Sequence, residues 1–178
     1  AVLGGGGDDS YIYSAGDGHD TYNDASGADT IYLGAGIVES DLTFSWTGDD
    51  LVVGFTGTST DSITITDHMS YTSGREIEKI VFSDSSELLL AKDETGTSGD
   101  DTITGTVGND TLYGGAGDDT ISSGDGYDDV YGDAGDDTII FDKSFTSGSH
   151  SGELHGGAGT ADVIDLSAYG YGLNAAFE

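Results

Sequence analysis

The stretch Gly114-Gly115-Ala116-Gly117-Asp118-Asp119-Thr120-Ile121-Ser122 decides the fold. Its first six residues are glycine-rich and acidic, suited to a tight turn with positive φ and close backbone approach. Its last three form a short strand whose one apolar side chain points to a single face. The same unit recurs on both sides. Asp101, Asp110, Asp119, Asp128 and Asp137 are each nine residues apart, with Gly99, Gly108, Gly117, Gly126 and Gly135 two residues before them and Ile103, Leu112, Ile121, Val130 and Ile139 two residues after. Three columns therefore hold phase through five copies. A turn plus a strand is half a coil, so two units make one coil of a parallel β-roll. The apolar column stacks into a narrow core between two sheets, too thin to be stable unaided.

The pattern continues outward in looser form. Gly7-Asp8-Asp9-Ser10-Tyr11, Gly18-His19-Asp20-Thr21-Tyr22 and Gly27-Ala28-Asp29-Thr30-Ile31 carry the same columns, with Asp spacings of eleven and then nine. Val2 precedes Tyr11 by nine, so Val2-Leu3 reads as the strand end of an upstream repeat. A degenerate copy, Gly156-Gly157-Ala158-Gly159-Thr160-Ala161-Asp162-Val163-Ile164, has one inserted residue before its Asp.

Composition bounds the partners. The 178 residues include 27 Asp, 7 Glu and only 4 Lys+Arg, for a formal net charge of −30. Such a chain cannot supply the basic surface that nucleic acid requires, and it is repelled by anionic membranes. No apolar run of about 18 residues exists, so no helical membrane span is expected. There is no Cys and hence no disulfide framework. Without a signal peptide or an initiator Met, Ala1 reads as a cut point inside a larger protein. Adaptation to high salt would scatter carboxylates over the surface. Instead 12 of the 27 Asp fall within residues 96–142, one column of them strictly phased.

Stacking sets the Asp of one copy over that of the next copy but one, roughly 5 Å away at the inter-strand spacing. Two carboxylates at that distance repel by about 1 kcal/mol in water and roughly 3 kcal/mol at an effective dielectric near 20. A hard divalent cation reverses the sign. Ca²⁺ takes six to eight oxygen ligands in flexible geometry, from carboxylates and from the carbonyls that glycines leave exposed, whereas Mg²⁺ demands strict octahedral geometry and retains its water.

These residues resemble the repeats-in-toxin (RTX) family, with its nonapeptide GGxGxDxUx. The resemblance covers residues 4–32, 96–140 and 156–164. It implies an all-β fold, a calcium-stabilised parallel β-roll in two RTX blocks, with several Ca²⁺ ions at the turns. Position six, the carboxylate ligand, falls on Asp9, Asp20, Asp29, Asp101, Asp110, Asp119, Asp128, Asp137 and Asp162. Position one, a carbonyl ligand, falls on Gly4, Gly96, Gly105, Gly114, Ser123, Gly132 and Gly156, and position three, another carbonyl, on Gly6, Ser98, Val107, Ala116, Asp125, Ala134 and Ala158. The chain departs from the pattern at position one, where Ala15, Asp24 and Ser123 stand in three copies, and at position two, occupied elsewhere by Thr97, Thr106 and Asp133. The family further implies a secreted or cell-surface module of a larger protein exported by a Gram-negative type I route.

Residues 33–95 lose the nine-residue phase and alternate instead. Leu42-Thr43-Phe44-Ser45-Trp46, Leu51-Val52-Val53-Gly54-Phe55, Ser62-Ile63-Thr64-Ile65-Thr66 and Ile77-Glu78-Lys79-Ile80-Val81-Phe82-Ser83 read as strands joined by polar turns. The segment resembles the haemolysin-type calcium-binding-related domain, implying a β-rich sandwich or hairpin insert. The expected organisation is a first repeat block at 1–34, the insert at 35–95, a second block of five nonapeptides at 96–142, and a degenerate repeat with a partial C-terminal cap at 143–178. Arg75, Lys79 and Lys92 lie in the insert and no basic residue lies within a repeat, as cation sites there require.

Other chemistry is sparse. His19, His68, His150 and His155 come with no HExxH and no Cys, so no zinc site is expected. No P-loop, nucleophile elbow or dinucleotide fingerprint occurs, and the chain is expected to be non-catalytic. A polysaccharide or cell-surface glycan is the alternative partner, as for an adhesin or epimerase repeat module, with Trp46 or Tyr71 as contact residues.

Overall fold

The computed structural model describes residues 1–68, 77–126, 128–140, 153–165 and 167. Tyr71, Arg75 and His150 lie outside them. The chain forms two compact units, Ala1–Lys92 with Val107–Asn109, and Asp93–Thr106 with Asp110–Glu178. Among the described residues, all regular structure is β apart from a short 3-10 turn at Glu39–Asp41.

The second unit is a parallel roll. Strands β10 (Asp93–Thr95), β12 (Thr111–Ala116), β14 (Asp129–Ala134) and β16 (Leu154–His155) form one sheet, and β11 (Thr102–Thr104), β13 (Thr120–Ser122), β15 (Thr138–Ile140) and β17 (Val163–Asp165) the other. Every pairing is parallel. The register Ile103↔Ile121↔Ile139 advances by eighteen residues per coil, two nonapeptides, as the phased columns predict. Ile103, Leu112, Ile121, Val130 and Ile139 are buried and make up the whole buried core described for this unit, flanked by half-buried Leu154 and Ile164. The turns need left-handed backbone. Gly115 and Gly117 have φ of 102° and 120°, and Asp133, standing where most copies have glycine, is held at 68°.

The first unit starts as the same roll and finishes differently. Strands β1 (Val2–Leu3), β3 (His19–Asn23) and β7 (Ser62–Ile65) run parallel, and β2 (Ser10–Tyr13), β4 (Asp29–Leu33) and β8 (Ile77–Val81) run parallel in a second sheet. The insert thus continues both sheets of the first block, strand on strand. It then reverses direction, with β6 (Asp50–Phe55) and β5 (Leu42–Thr47) antiparallel beyond β7, and β9 (Glu87–Leu89) antiparallel to β8. The core of this unit is thicker, joining Tyr11, Tyr13, Tyr22 and Ile31 of the repeats to Leu51, Val53, Ile63, Ile65, Ile77, Ile80 and Leu90 of the insert. Tyr11 stacks on Tyr22 at 4.7 Å and Tyr13 on Phe55 at 5.0 Å. Among the described residues no helix is long and apolar enough to cross a membrane.

Candidate metal centre

Each turn precedes its strand by one residue, so the in-register strands stack the position-six carboxylates into a ladder. The backbone N–H of Asp101 donates to Asp119 Oδ1 (2.8 Å), that of Asp119 to Asp137 Oδ1 (2.9 Å) and that of Asp137 to Asp162 Oδ1 (3.1 Å). On the alternate turns the Asp110 N–H donates to Asp128 Oδ1 at 3.1 Å. In the first unit Asp9 N–H donates to Asp29 Oδ1 at 2.7 Å. The preceding residue makes a second, exposed ladder of opposite sense, Asp118 N–H to Asp100 Oδ1 (3.0 Å) and Asp136 N–H to Asp118 Oδ1 (2.9 Å).

One oxygen of each inner carboxylate is thus satisfied by backbone. For the other oxygen, position two is decisive. Thr97 donates its N–H and hydroxyl to Asp101 Oδ2 at 2.6 and 2.9 Å, and the Thr106 N–H reaches Asp110 Oδ2 at 2.5 Å. Position two of the next two copies on Asp101's face is Gly115 and Asp133. There the Oδ2 atoms of Asp119 and Asp137 are buried with no hydrogen-bond donor, although each residue is 1% exposed. Burial raises the Asp137 pKa above the usual carboxylate range, with the Asp119 N–H opposing and the Asp119 and Asp162 charges adding to the rise. An orphaned buried carboxylate oxygen costs on the order of 1–3 kcal/mol or more.

Those oxygens face carbonyls. A Cβ placed on Gly114 would lie 2.4 Å from Asp119 Oδ2 and 2.5 Å from the Gly132 carbonyl oxygen, and one on Gly132 would lie 2.4 Å from Asp137 Oδ2 and 2.3 Å from the Gly156 carbonyl. Gly96 and Gly105 repeat the arrangement with the carbonyls of Gly114 and Ser123, and Gly156 has Asp162 Oδ2 beside it. Position one therefore brings carboxylate and carbonyl oxygens of successive coils to a common point, where hard oxygen donors and unneutralised charge suit a calcium ion. Position three joins the coil-to-coil pairing. The Ala134 carbonyl accepts the Gly117 N–H at 2.8 Å, Ala116 pairs in register with Ala134, the N–H groups of Asp125 and Ala158 bond to Thr106 and Asp133, and Gly6 bridges to Ser26. A carbonyl so bonded keeps one lone pair for a cation. Ser98 is exposed, and the Val107 side chain packs against the core of the first unit.

Sequence comparison agrees with this geometry. The family model of the RTX calcium-binding nonapeptide repeat matches residues 14–36, 95–130 and 124–143, and that of the haemolysin-type calcium binding protein related domain matches 50–92. The chain carries RTX calcium-binding nonapeptide repeats. No curated protein matches it. Calcium binding by its RTX repeats follows from the match, and the parallel sheets are those of an RTX β-roll.

Two nominated RTX carboxylates stand apart. Asp20 pairs in register with Ile63, so its column meets an apolar residue of the insert rather than another carboxylate. Its turn is held instead by Gly16 N–H to Asp61 Oδ2 at 3.1 Å, His19 Nδ1 to Ser62 Oγ at 2.7 Å, and Tyr13 OH to the Gly18 carbonyl at 2.8 Å. Asp162 keeps its rung but is exposed.

Two acidic residues absent from the nominated set join the RTX turns of the first unit. Asp24 stands at position one of its copy, and Asp9, Asp24 and Asp29 bring one carboxylate oxygen each within 4.8 Å of one another. Its place at position one, opposite the Asp of the preceding coil, was the available signal. Glu78 is the second. The register of β4 and β8 shifts between Asp29 and Thr30, leaving Glu78 as an extra residue whose Oε2 accepts the Asp29 N–H. The insert thereby supplies the next rung, which no periodicity announces. Burial, with like charge from Asp24 and Glu78, pushes Asp29 up to about 7 against the lowering effect of the Asp9 N–H.

Trp46 packs half-buried against the first unit's core with its ring 5.9 Å from that of His68. His68 is fully buried, which lowers its pKa to about 4.

Proposed function

We propose that this chain is a non-catalytic calcium-responsive module of a larger bacterial protein exported by the type I route, which folds when it meets calcium outside the cell. The buried, donorless Oδ2 atoms of Asp119 and Asp137 carry this reading, since without a cation they make the roll self-repelling along its length. Cytosolic calcium is sparse, and a chain of net charge −30 stays expanded there. Extracellular calcium is comparable to or above the dissociation constants of about 10⁻⁴–10⁻³ M typical of extracellular sites. Each filled site then adds about 1–3 kcal/mol by mass action, and stacking makes the sites cooperative. Metal binding is folding for such a domain.

The test is far-UV circular dichroism in calcium and in excess EGTA at matched ionic strength, with magnesium as a control. The β signal is expected to be full in calcium, to fall sharply on chelation and not to be restored by magnesium. A spectrum indifferent to chelation refutes the proposal.

A further inference from the structure

We propose that Asp24 is a third carboxylate ligand, making the Asp9–Asp24–Asp29 cluster a calcium site distinct from the turns of the second unit and the first to fill. The inference rests on the calcium-binding reading above and concerns where the charge lies. In the second unit, the points beside Gly96, Gly105, Gly114 and Gly132 are each shared by one carboxylate oxygen and one carbonyl. Beside Gly4 the corresponding point lies 2.2 Å from the Tyr11 hydroxyl, 2.4 Å from Asp24 Oδ1 and 2.8 Å from Asp9 Oδ2. The Asp24 side chain stands where the other turns offer a backbone carbonyl.

The cluster is aimed inward. Asp24 and Asp29 are each 1% exposed, and the Oδ2 atoms of Asp9, Asp24 and Asp29 are all buried without a hydrogen-bond donor. Three carboxylates with three unsatisfied oxygens repel one another and destabilise the folded chain unless a cation or a proton neutralises them. Ligand charge count is a main determinant of calcium affinity, so exchanging a neutral carbonyl for a carboxylate tightens the site. The Tyr11 hydroxyl donates to Asp24 Oδ1 at 3.1 Å, which seats a phenol against the site. That phenol is a built-in antenna for a luminescent lanthanide.

The experiment titrates the full chain with calcium against a competing chelator, and with Tb³⁺ under tyrosine excitation. Wild type is expected to show a tight phase preceding the cooperative one, with sensitised terbium emission rising in that phase. Asp24→Asn is expected to weaken the tight phase on the order of tenfold or more and to leave the later phase in place. Tyr11→Phe is expected to dim the early emission. Circular dichroism at saturating calcium checks that both variants fold. An Asp24→Asn chain with an unchanged first phase overturns the assignment while calcium binding by the other turns stands. A wild-type chain that takes up no calcium overturns the underlying reading instead.

Discussion

The two units begin from one nonapeptide and reach stability by different routes. In the second, the repeat runs unbroken. The described core is five buried aliphatic side chains in single file, and the inner carboxylates form a ladder in which Asp119 Oδ2 and Asp137 Oδ2 are buried without a hydrogen-bond donor. In the first, the repeat stops after three copies and the insert takes over. It continues both sheets, closes them with antiparallel strands, and joins fifteen buried residues into one core. Among the described residues, the first unit gathers its carboxylates at Asp9, Asp24 and Asp29, where the second spreads its sites along the turns. The contrast teaches that metal and apolar burial are alternative ways to hold a roll together: the less apolar surface a coil hides, the more it relies on charge neutralisation between turns.

The largest expected break in this contrast comes from removing calcium. In EGTA, amides of β11, β13 and β15 are expected to lose hydrogen-exchange protection entirely while those of β6 and β7 retain measurable protection. Mass spectrometry of exchanged peptides reads this directly, and equal loss in both units would erase the distinction. Next in size is a core truncation. Ile121→Ala and Ile63→Ala each remove a fully buried side chain and are expected to cost about 2–5 kcal/mol. Only Ile121→Ala should raise the calcium concentration needed to fold the second unit, as followed by circular dichroism during a calcium titration. Gly114→Ala should act in the same direction more weakly, by about 1–3 kcal/mol, because its Cβ would enter the space between Asp119 Oδ2 and the Gly132 carbonyl.

A smaller effect, on the order of 1 kcal/mol, is expected at Asp29, whose sign depends on the metal. Its folded-state pKa of about 7 lies above the ordinary 3.8, so the wild-type apo chain gains stability as pH falls through 7 and loses it as pH rises. In chelator, Asp29→Asn should therefore be more stable than wild type at pH 8, and this advantage should shrink towards pH 5. In calcium at pH 8 the same variant should be the less stable of the two. Urea unfolding under the four conditions tests both signs. Smallest of all is Gly99→Ala, where a Cβ meets nothing within 4 Å, with an expected change within about 0.5 kcal/mol.

Much of this is legible in the amino-acid sequence. The columns Asp101 to Asp137 and Ile103 to Ile139 announce a parallel roll because a period held through five copies can only mean stacked identical units. The alternation around Leu51-Val52-Val53 announces strands in the insert. It does not say that β7 would lie on β3 and β8 on β4, since strand pairing is a choice among partners that alternation leaves equal. The site divides in the same way. Asp119 and Asp137 are readable as ladder rungs. That Thr97 and Thr106 donate to their own copies' carboxylates, and that Glu78 continues the ladder through a bulge, follow from backbone geometry at single residues.

The sequence by itself determined the repeat, its handful of apolar columns, the excess of negative charge and hence the need for calcium, because periodicity and charge are properties of the linear chain. The tertiary structure decided which oxygens are left wanting. Asp24 is a departure from the pattern on paper and a third carboxylate in the fold, because only the stacking of one coil on another sets it opposite Asp9.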